Sequence, residues 1–368
     1  MNSLKNTLIR CFLPHPTNRS ELGVAPRILV VSTTAMGDTL WATPALSNLR
    51  LHFPKAYIAV LTSPTGREIL ENNPHLDQII LLKEPLLPRL LSMTKTLKRE
   101  KFDVALIMHI SQRLVLPLCS FSRIPRIIGT KGINKGLDDL LTDPLDARFE
   151  HEIERRQKIL DRLNVPQTVQ TLSYYVQPQE RIAAREYIAS ASTRNQPLIA
   201  IHPGSKDVFR RWPADCFVAV ACALQKKFGC EIFLTGSPSE RRLLQKIGQR
   251  IPNSQIICSS SIRFLAAVIE QMDLVLSNDT GPMHLACALN RPTIGIYVPT
   301  DPRICGPHAA TCATVIYREP TCQPCMKRRC RDSFCFLQIG TQEVIEACSK
   351  TLESLKKNAV SQNFDLDR

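Results

Sequence analysis

Short, β-branched apolar runs alternate along the chain with longer stretches in which apolar residues recur every three or four positions. The runs Arg27–Ser32, Ala56–Ser63, Gln78–Leu82, Val104–His109 and Arg126–Thr130 predict strands in the first half. Leu198–His202, Glu231–Gly236, Gln255–Ser259, Leu274–Asp279 and Thr293–Thr300 do so in the second. Strands spaced by helices in this rhythm predict βαβ units, so the fold class is α/β, with two doubly wound domains in tandem. The expected organisation is an N-terminal extension over 1–26, a first domain over 27–177, a second over 178–340 and a terminal helix over 341–357 with a tail over 358–368. A helical pattern through Ile182, Ala183, Tyr187 and Ile188, followed by the polar segment SASTRNQ, places the linker between Gln177 and Gln196. The last helix carries Val344, Ile345, Cys348, Leu352 and Leu355 on one face, with Thr341 as its predicted cap.

Composition narrows the picture. The chain has 368 residues, enough for two cores, and a 44% hydrophobic fraction excludes a disordered chain. No run approaches a membrane-spanning length, and MNSLKNTLIRCFLPHPTNRS lacks the sustained apolar core of a secretory signal. Fourteen cysteines are then expected as free thiols in a reducing compartment or as metal ligands. The net charge of +14 points to an acidic partner: nucleic acid, an anionic membrane or phosphorylated small molecules.

Candidate chemistry gathers where predicted strands end, the edge at which doubly wound sheets bind ligands. The first strand runs into STTAMGDTLWATPAL, where Thr33, Thr34, Ala35 and Gly37 form a tight turn and Asp38 opens a helix. Asp38 reads either as a capping carboxylate or as a general base facing an interdomain cleft. Both GxGxxG and GxxxxGK[ST] are missing, which argues against a nicotinamide dehydrogenase and a P-loop NTPase. In the second half, IHPGSKDVFRRWP supplies Gly204, Ser205, Arg210 and Arg211, a group suited to phosphate. LSNDTGPMHLACAL supplies Asp279, Thr280, Gly281 and His284 at a helix start, where free N–H groups favour a diphosphate. His284 reads equally as a structural core histidine.

Taken in order, these segments resemble the bacterial heptosyltransferases of glycosyltransferase family 9. The resemblance rests on Ile28–Val31 with Gly37-Asp38 and Pro44–Leu46, on His202–Gly204 with Arg211–Pro213, and on Ser277–Gly281 with His284, Arg291-Pro292 and Pro299–Pro302. His151-Glu152-x-Glu154-Arg155 before Ile159-Leu160 agrees with it. It implies a GT-B fold, two Rossmann-like domains facing across a cleft, with the acceptor side first and the nucleotide-sugar side second. It also implies metal-independent, inverting transfer of heptose from an ADP-heptose donor to the lipopolysaccharide inner core, with no cofactor required. In that reading Asp38 is the catalytic base, and Gly204, Ser205, Arg210, Asp279, Thr280, Gly281 and His284 bind the donor, with Glu240 as a ribose ligand. Many family members carry lysine at the position of Arg210, and arginine keeps the charge in a planar, bulkier group.

The anionic glycolipid acceptor implied by the family would meet Thr34, Met36, Gly37, Arg113, Arg123 and Arg126 at the cytoplasmic face of the inner membrane, the protein being cytoplasmic and peripheral. Leu86, Leu90, Met93 and Leu97 form a stripe beside Arg89, Lys95, Lys98, Arg99 and Lys101, which reads either as a helix packed on its own sheet or as a lipid-facing surface. Cys322, Cys325, Cys330 and Cys335, within the loop 322–335, are spaced as in a compact structural zinc or iron–sulfur loop. Two alternatives stay open: a transferase of the same fold using another nucleotide sugar or a protein acceptor, and a basic, zinc-containing nucleic-acid-binding or assembly module. The two complete α/β domains argue against the latter, and no nucleic-acid partner is expected.

Overall fold

The computed structural model describes residues 22–192, 196–308, 311–322 and 334–366. The chain divides into two compact units between Tyr175 and Val176. The first holds a parallel sheet of β1 (Arg27–Ser32), β2 (Tyr57–Thr62), β3 (Gln78–Leu81), β4 (Val104–His109), β5 (Arg126–Thr130) and β6 (Asp143–Leu145), in the order β3-β2-β1-β4-β5-β6. The second holds β7 (Leu198–His202), β8 (Glu231–Gly236), β9 (Gln255–Cys258), β10 (Leu274–Asn278), β11 (Thr293–Tyr297) and β12 (Ala313–Tyr317), in the order β12-β11-β10-β7-β8-β9. Read from β9, the second order repeats the first. Right-handed crossovers that build outward to one side and then the other generate this order, and they leave a switch point between β1 and β4 and between β7 and β10.

Helices cover both faces of such sheets, so the central strands are buried along almost their whole length and read as continuous apolar runs. Ile28–Val31 and Ile199–Ile201 are fully buried. Each unit has its own core: Leu29, Val31, Leu61, Ile107 and Leu116 belong to the first, and Ile201, Trp212, Phe217, Leu234 and Leu276 to the second. Strands β6 and β12 were not expected from the sequence; both are partly exposed edge strands, and β6 is only three residues long.

Helix Pro178–Ala191, in the region predicted to hold the linker, packs on the second unit. Gln177 and Glu180 form its capping box, Ala184 and Ile188 are buried, and Arg181–Glu270 (2.7 Å) and Arg263–Glu180 (2.5 Å) tie it down. The final helix continues past Lys357 to Leu366, over a segment without glycine or proline to stop it.

Helix Leu90–Glu100 resolves the two readings of the basic stripe. Leu86, Met93 and Leu97 are buried in the first core and Leu90 packs against it, so this stripe faces the sheet. Leu87 and Leu91 point outward instead, 70% and 80% exposed.

Candidate active site

In the first unit the chemistry gathers where β1 and β4 part. The pairing register slips here, with Val31 opposite Ile107 but Ser32 opposite His109, a bulge that turns the end of β4. Thr33 closes the gap: its N–H donates to the His109 carbonyl (3.2 Å) and its hydroxyl accepts from the Ser111 N–H (2.8 Å). The Thr34 carbonyl accepts from Ser63 Oγ (3.1 Å), while the Thr34 hydroxyl is buried without a hydrogen-bond partner among the described residues. Helix Met36–Leu40 then begins, with Met36, Gly37 and Asp38 half-buried.

Asp38 does not cap this helix; Ala35 holds the cap position and no side chain caps it. The Asp38 carboxylate, 21% exposed, accepts instead from Arg156 Nη2 at 3.2 Å. Arg156 is fully buried on helix Glu152–Asp161, with its guanidinium carbon 5.3 Å from the centre of the Trp41 ring. Its Nη1 donates to the Glu152 carbonyl (2.9 Å) and carboxylate. Arg155 donates to that same carboxylate from Nη2 (2.7 Å) and to the Met108 carbonyl in the bulge (3.0 Å). Burial alone would raise the Glu152 pKa, but the Arg156 and Arg155 charges outweigh it and bring it to about 2. Burial holds His109 below its ordinary value; Asp38 pulls the other way, and Arg156 and Arg155 reinforce the shift. The His109 Nδ1 is buried and lacks a hydrogen-bond partner among the described residues.

Arg156 escaped the reading of the sequence, yet a signal exists. Ile153, Arg156 and Leu160 share one helix face at spacings of three and four, so a charge occupies a core-facing position. Arg113 lies half-buried just beyond β4 on the same edge. Arg123 and Arg126 do not join it. Arg123 is exposed immediately before β5, and Arg126 opens that strand at the opposite edge of the sheet, where it pairs with Asp143 (2.7 Å) and donates to the Arg162 carbonyl (2.6 Å). A strand's first residue lies a full strand length from its carboxyl end, which removes both from the proposed acceptor side.

In the second unit the matching edge, where β7 and β10 part, brings most of the donor candidates together. Asn278 ends β10 and holds the turn after β7: its Nδ2 donates to the Pro203 carbonyl (2.9 Å) and its Oδ1 accepts from the Trp212 N–H (3.0 Å). Trp212 is anchored through its indole N–H to the Ile339 carbonyl (3.2 Å). Arg211 donates from Nε to the Ser205 carbonyl (2.9 Å), and Arg210 pairs with Asp279 (3.1 Å). Burial raises the Asp279 pKa, and the Arg210 charge opposes that shift.

Glu240 follows β8. Its Oε2 accepts from the Ser237 N–H (2.9 Å) and hydroxyl (2.8 Å), and its Oε1 faces Gly204 so closely that a Cβ there would sit 2.0 Å away. Burial alone would raise Glu240; the Ser237 N–H bond, His202 and Arg211 together lower it. His202 is buried with Nδ1 3.1 Å from Thr235 Oγ1; burial lowers its pKa and the Glu240 charge opposes that shift. Thr280 is extended before helix Gly281–Ala288, its hydroxyl on Ser277 Oγ (3.2 Å), so the first helical amides lack a side-chain cap. His284 is buried in the first turn. A Cβ at position 204 would force the Glu240 carboxylate to move.

Cys322 is exposed and Cys335 half-buried, whereas Cys325 and Cys330 lie outside the described residues. Among the described residues no three His, Cys, Asp or Glu side chains are grouped to hold a metal ion. No described helix is long and apolar enough to cross a membrane.

Residues 90–334 match the family described as glycosyltransferase family 9 (heptosyltransferase). Lipooligosaccharide heptosyltransferase 2 of Campylobacter jejuni is 23% identical over 339 residues, covering 89% of this chain and 99% of its own length. A family 9 glycosyltransferase from Veillonella parvula superposes with a TM-score of 0.78 at 22% identity, covering 91% of this chain and all of its own. The ADP-heptose lipopolysaccharide heptosyltransferase II of Escherichia coli does so with a TM-score of 0.74 at 20% identity, covering 90% and 99%.

Proposed function

Since the chain belongs to glycosyltransferase family 9, the heptosyltransferases, we propose that it transfers heptose from ADP-heptose to the lipopolysaccharide inner core with inversion at the anomeric carbon. The observation that carries this reading is Asp38, a partly buried carboxylate held by a buried arginine where β1 and β4 part. Asp38 accepts the proton of an acceptor hydroxyl as that oxygen attacks the anomeric carbon and the carbon–oxygen bond to the ADP leaving group breaks. One displacement inverts the centre, and ADP departs with the bonding electron pair.

The second unit supplies the donor group. The uncapped amides at Gly281 and the Arg210 and Arg211 guanidiniums meet the negative charge that develops on the diphosphate, a task that needs no metal ion. Glu240 accepts from ribose hydroxyls and Gly204 leaves room for it; Ser205, Asp279, Thr280 and His284 complete the contacts. On the first unit Thr34, Met36, Gly37 and Arg113 line the acceptor side.

The acceptor is lipid-linked, and the surface that fits it is the exposed pair Leu87 and Leu91. They stand with Pro85 and Pro88 among the exposed Lys83, Arg89, Lys95, Lys98 and Arg99, with Glu84 the one exposed acid between residues 83 and 99. Apolar tips ringed by cations suit an anionic bilayer, and the segment follows β3 at the same sheet edge as Asp38. The protein therefore works as a peripheral enzyme at the cytoplasmic face of the inner membrane.

Asp38→Asn tests the reading. The expected result is a folded protein with unchanged donor affinity and turnover at least ~100-fold lower; near-normal turnover overturns it. A thermal-shift comparison of ADP-, GDP- and UDP-linked sugars tests the donor, with stabilisation expected from the ADP form.

A further inference from the structure

We propose that Arg156 is a positioning residue that fixes the orientation of the Asp38 carboxylate for proton abstraction, an inference that rests on the reading of Asp38 as the base. Among the described residues Arg156 is the one hydrogen-bond donor to that carboxylate, and it engages Oδ1 alone at 3.2 Å. Oδ2 is thereby left for the acceptor hydroxyl. A free aspartate carboxylate rotates broadly about its terminal torsion, and a single charged anchor on one oxygen removes that freedom.

The anchor is itself immobilised. Arg156 is 0% exposed; Glu152 holds Nη1 through both its carbonyl and its carboxylate, and the Trp41 ring flanks the guanidinium. Glu152 is gripped in turn by Arg155, whose Nη2 donates to the Met108 carbonyl in the β4 bulge and whose Nη1 lies 3.5 Å from Thr130 Oγ1 at the end of β5. The position of Asp38 is thus referred back to two strand ends of the sheet. The charges agree with this role: Arg155 and Arg156 against Glu152 leave one positive charge, and it faces Asp38. Burying an arginine is costly, and a well-packed apolar side chain would hold a helix on a sheet at least as well. The contact to Asp38 is what the apolar alternative lacks.

A double-mutant cycle separates positioning from mere support. Arg156→Lys, Asp38→Asn and the double variant are compared by steady-state kinetics with ADP-heptose and heptose-free lipopolysaccharide, and by thermal unfolding. Lysine keeps the charge and loses the fixed fork. The expected result for Arg156→Lys is kcat about 10- to 100-fold lower with both KM values within about twofold. The double variant is expected to be no slower than Asp38→Asn alone, because the arginine acts only through that carboxylate. Losses that multiply in the double variant, a change confined to KM, or wild-type kcat in Arg156→Lys overturn the proposal. Full turnover of Asp38→Asn overturns the base reading and the proposal with it, an outcome distinct from the others. If Arg156→Lys does not fold, Glu152→Gln takes its place in the cycle, with the same non-additivity expected.

Discussion

Gly204→Ala adds one methyl group at the turn after β7, and its consequence follows from the distances around Glu240. The new Cβ would lie 2.0 Å from Glu240 Oε1, 2.4 Å from its Cδ and 2.9 Å from its Oε2. Ordinary carbon contacts begin near 3.5 Å, so the carboxylate must retreat by roughly 1.5 Å. It cannot do so and keep both bonds from Ser237, at 2.9 and 2.8 Å. The ribose contact proposed for Glu240 is then lost; a hydrogen bond to a charged group is worth about 1.5–3 kcal/mol, which corresponds to binding weaker by about 10- to 100-fold. Calorimetric titration with ADP is therefore expected to show a loss of that size in Gly204→Ala. The Glu240→Ala background supplies the control: the three atoms nearest the new methyl group all belong to the Glu240 carboxyl group, so the double variant is expected to bind ADP no worse than Glu240→Ala. If alanine at 204 costs as much in that background as in the wild type, the steric argument is refuted.

Three further outcomes are expected. Asn278→Ala strands the Trp212 N–H and the Pro203 carbonyl, so urea unfolding should report a loss of about 2–4 kcal/mol together with weaker ADP binding; an unchanged midpoint would mean the turn is held elsewhere. Glu152 titrates near 2 in the fold against an ordinary 4.5. A depressed folded value gives stability that is complete above the ordinary value and lost as pH falls toward the folded one, so unfolding free energy should fall over that window and fall less steeply in Glu152→Gln. Sedimentation with vesicles containing phosphatidylglycerol should carry the protein down. Leu87→Ser with Leu91→Ser should weaken that binding at least about tenfold while leaving ADP affinity intact, and equal binding by the double variant would exclude this face.

Strands β1, β2, β4 and β5 were legible because a strand buried on both faces must be apolar along most of its length, as Ile28–Val31 and Val104–Met108 are. Edge strands carry no such demand; Asp143–Leu145 has a proline at its centre and no apolar run to mark it. The placing of the proposed donor residues at strand ends was legible for a related reason. Gly204, Asp279, Thr280 and Gly281 sit beside strand ends, so their place follows from local spacing once the strands are known. The link between Asp38 and Arg156 spans 118 residues and is made by tertiary packing, which no local spacing encodes. Arg126 misled for the converse reason: proximity to a strand does not say which end of it faces the chemistry. The amphipathic stripe of helix Leu90–Glu100 was read correctly as apolar, but only the packed sheet decides that Met93 and Leu97 face inward while Leu91 stays in solvent.

The two sheets share one strand order, and each closes its own core. Inheritance acts on such a chain as on two cassettes. Among the described residues no core residue is common to both, so on the proposed reading substitutions on the acceptor side, around Asp38 and Leu87, leave the core beneath Gly204 and Gly281 in place. If the proposed sides hold, donor chemistry stays fixed while acceptor preference drifts, and grafting residues 27–175 from a relative with another acceptor is the engineering counterpart of that drift.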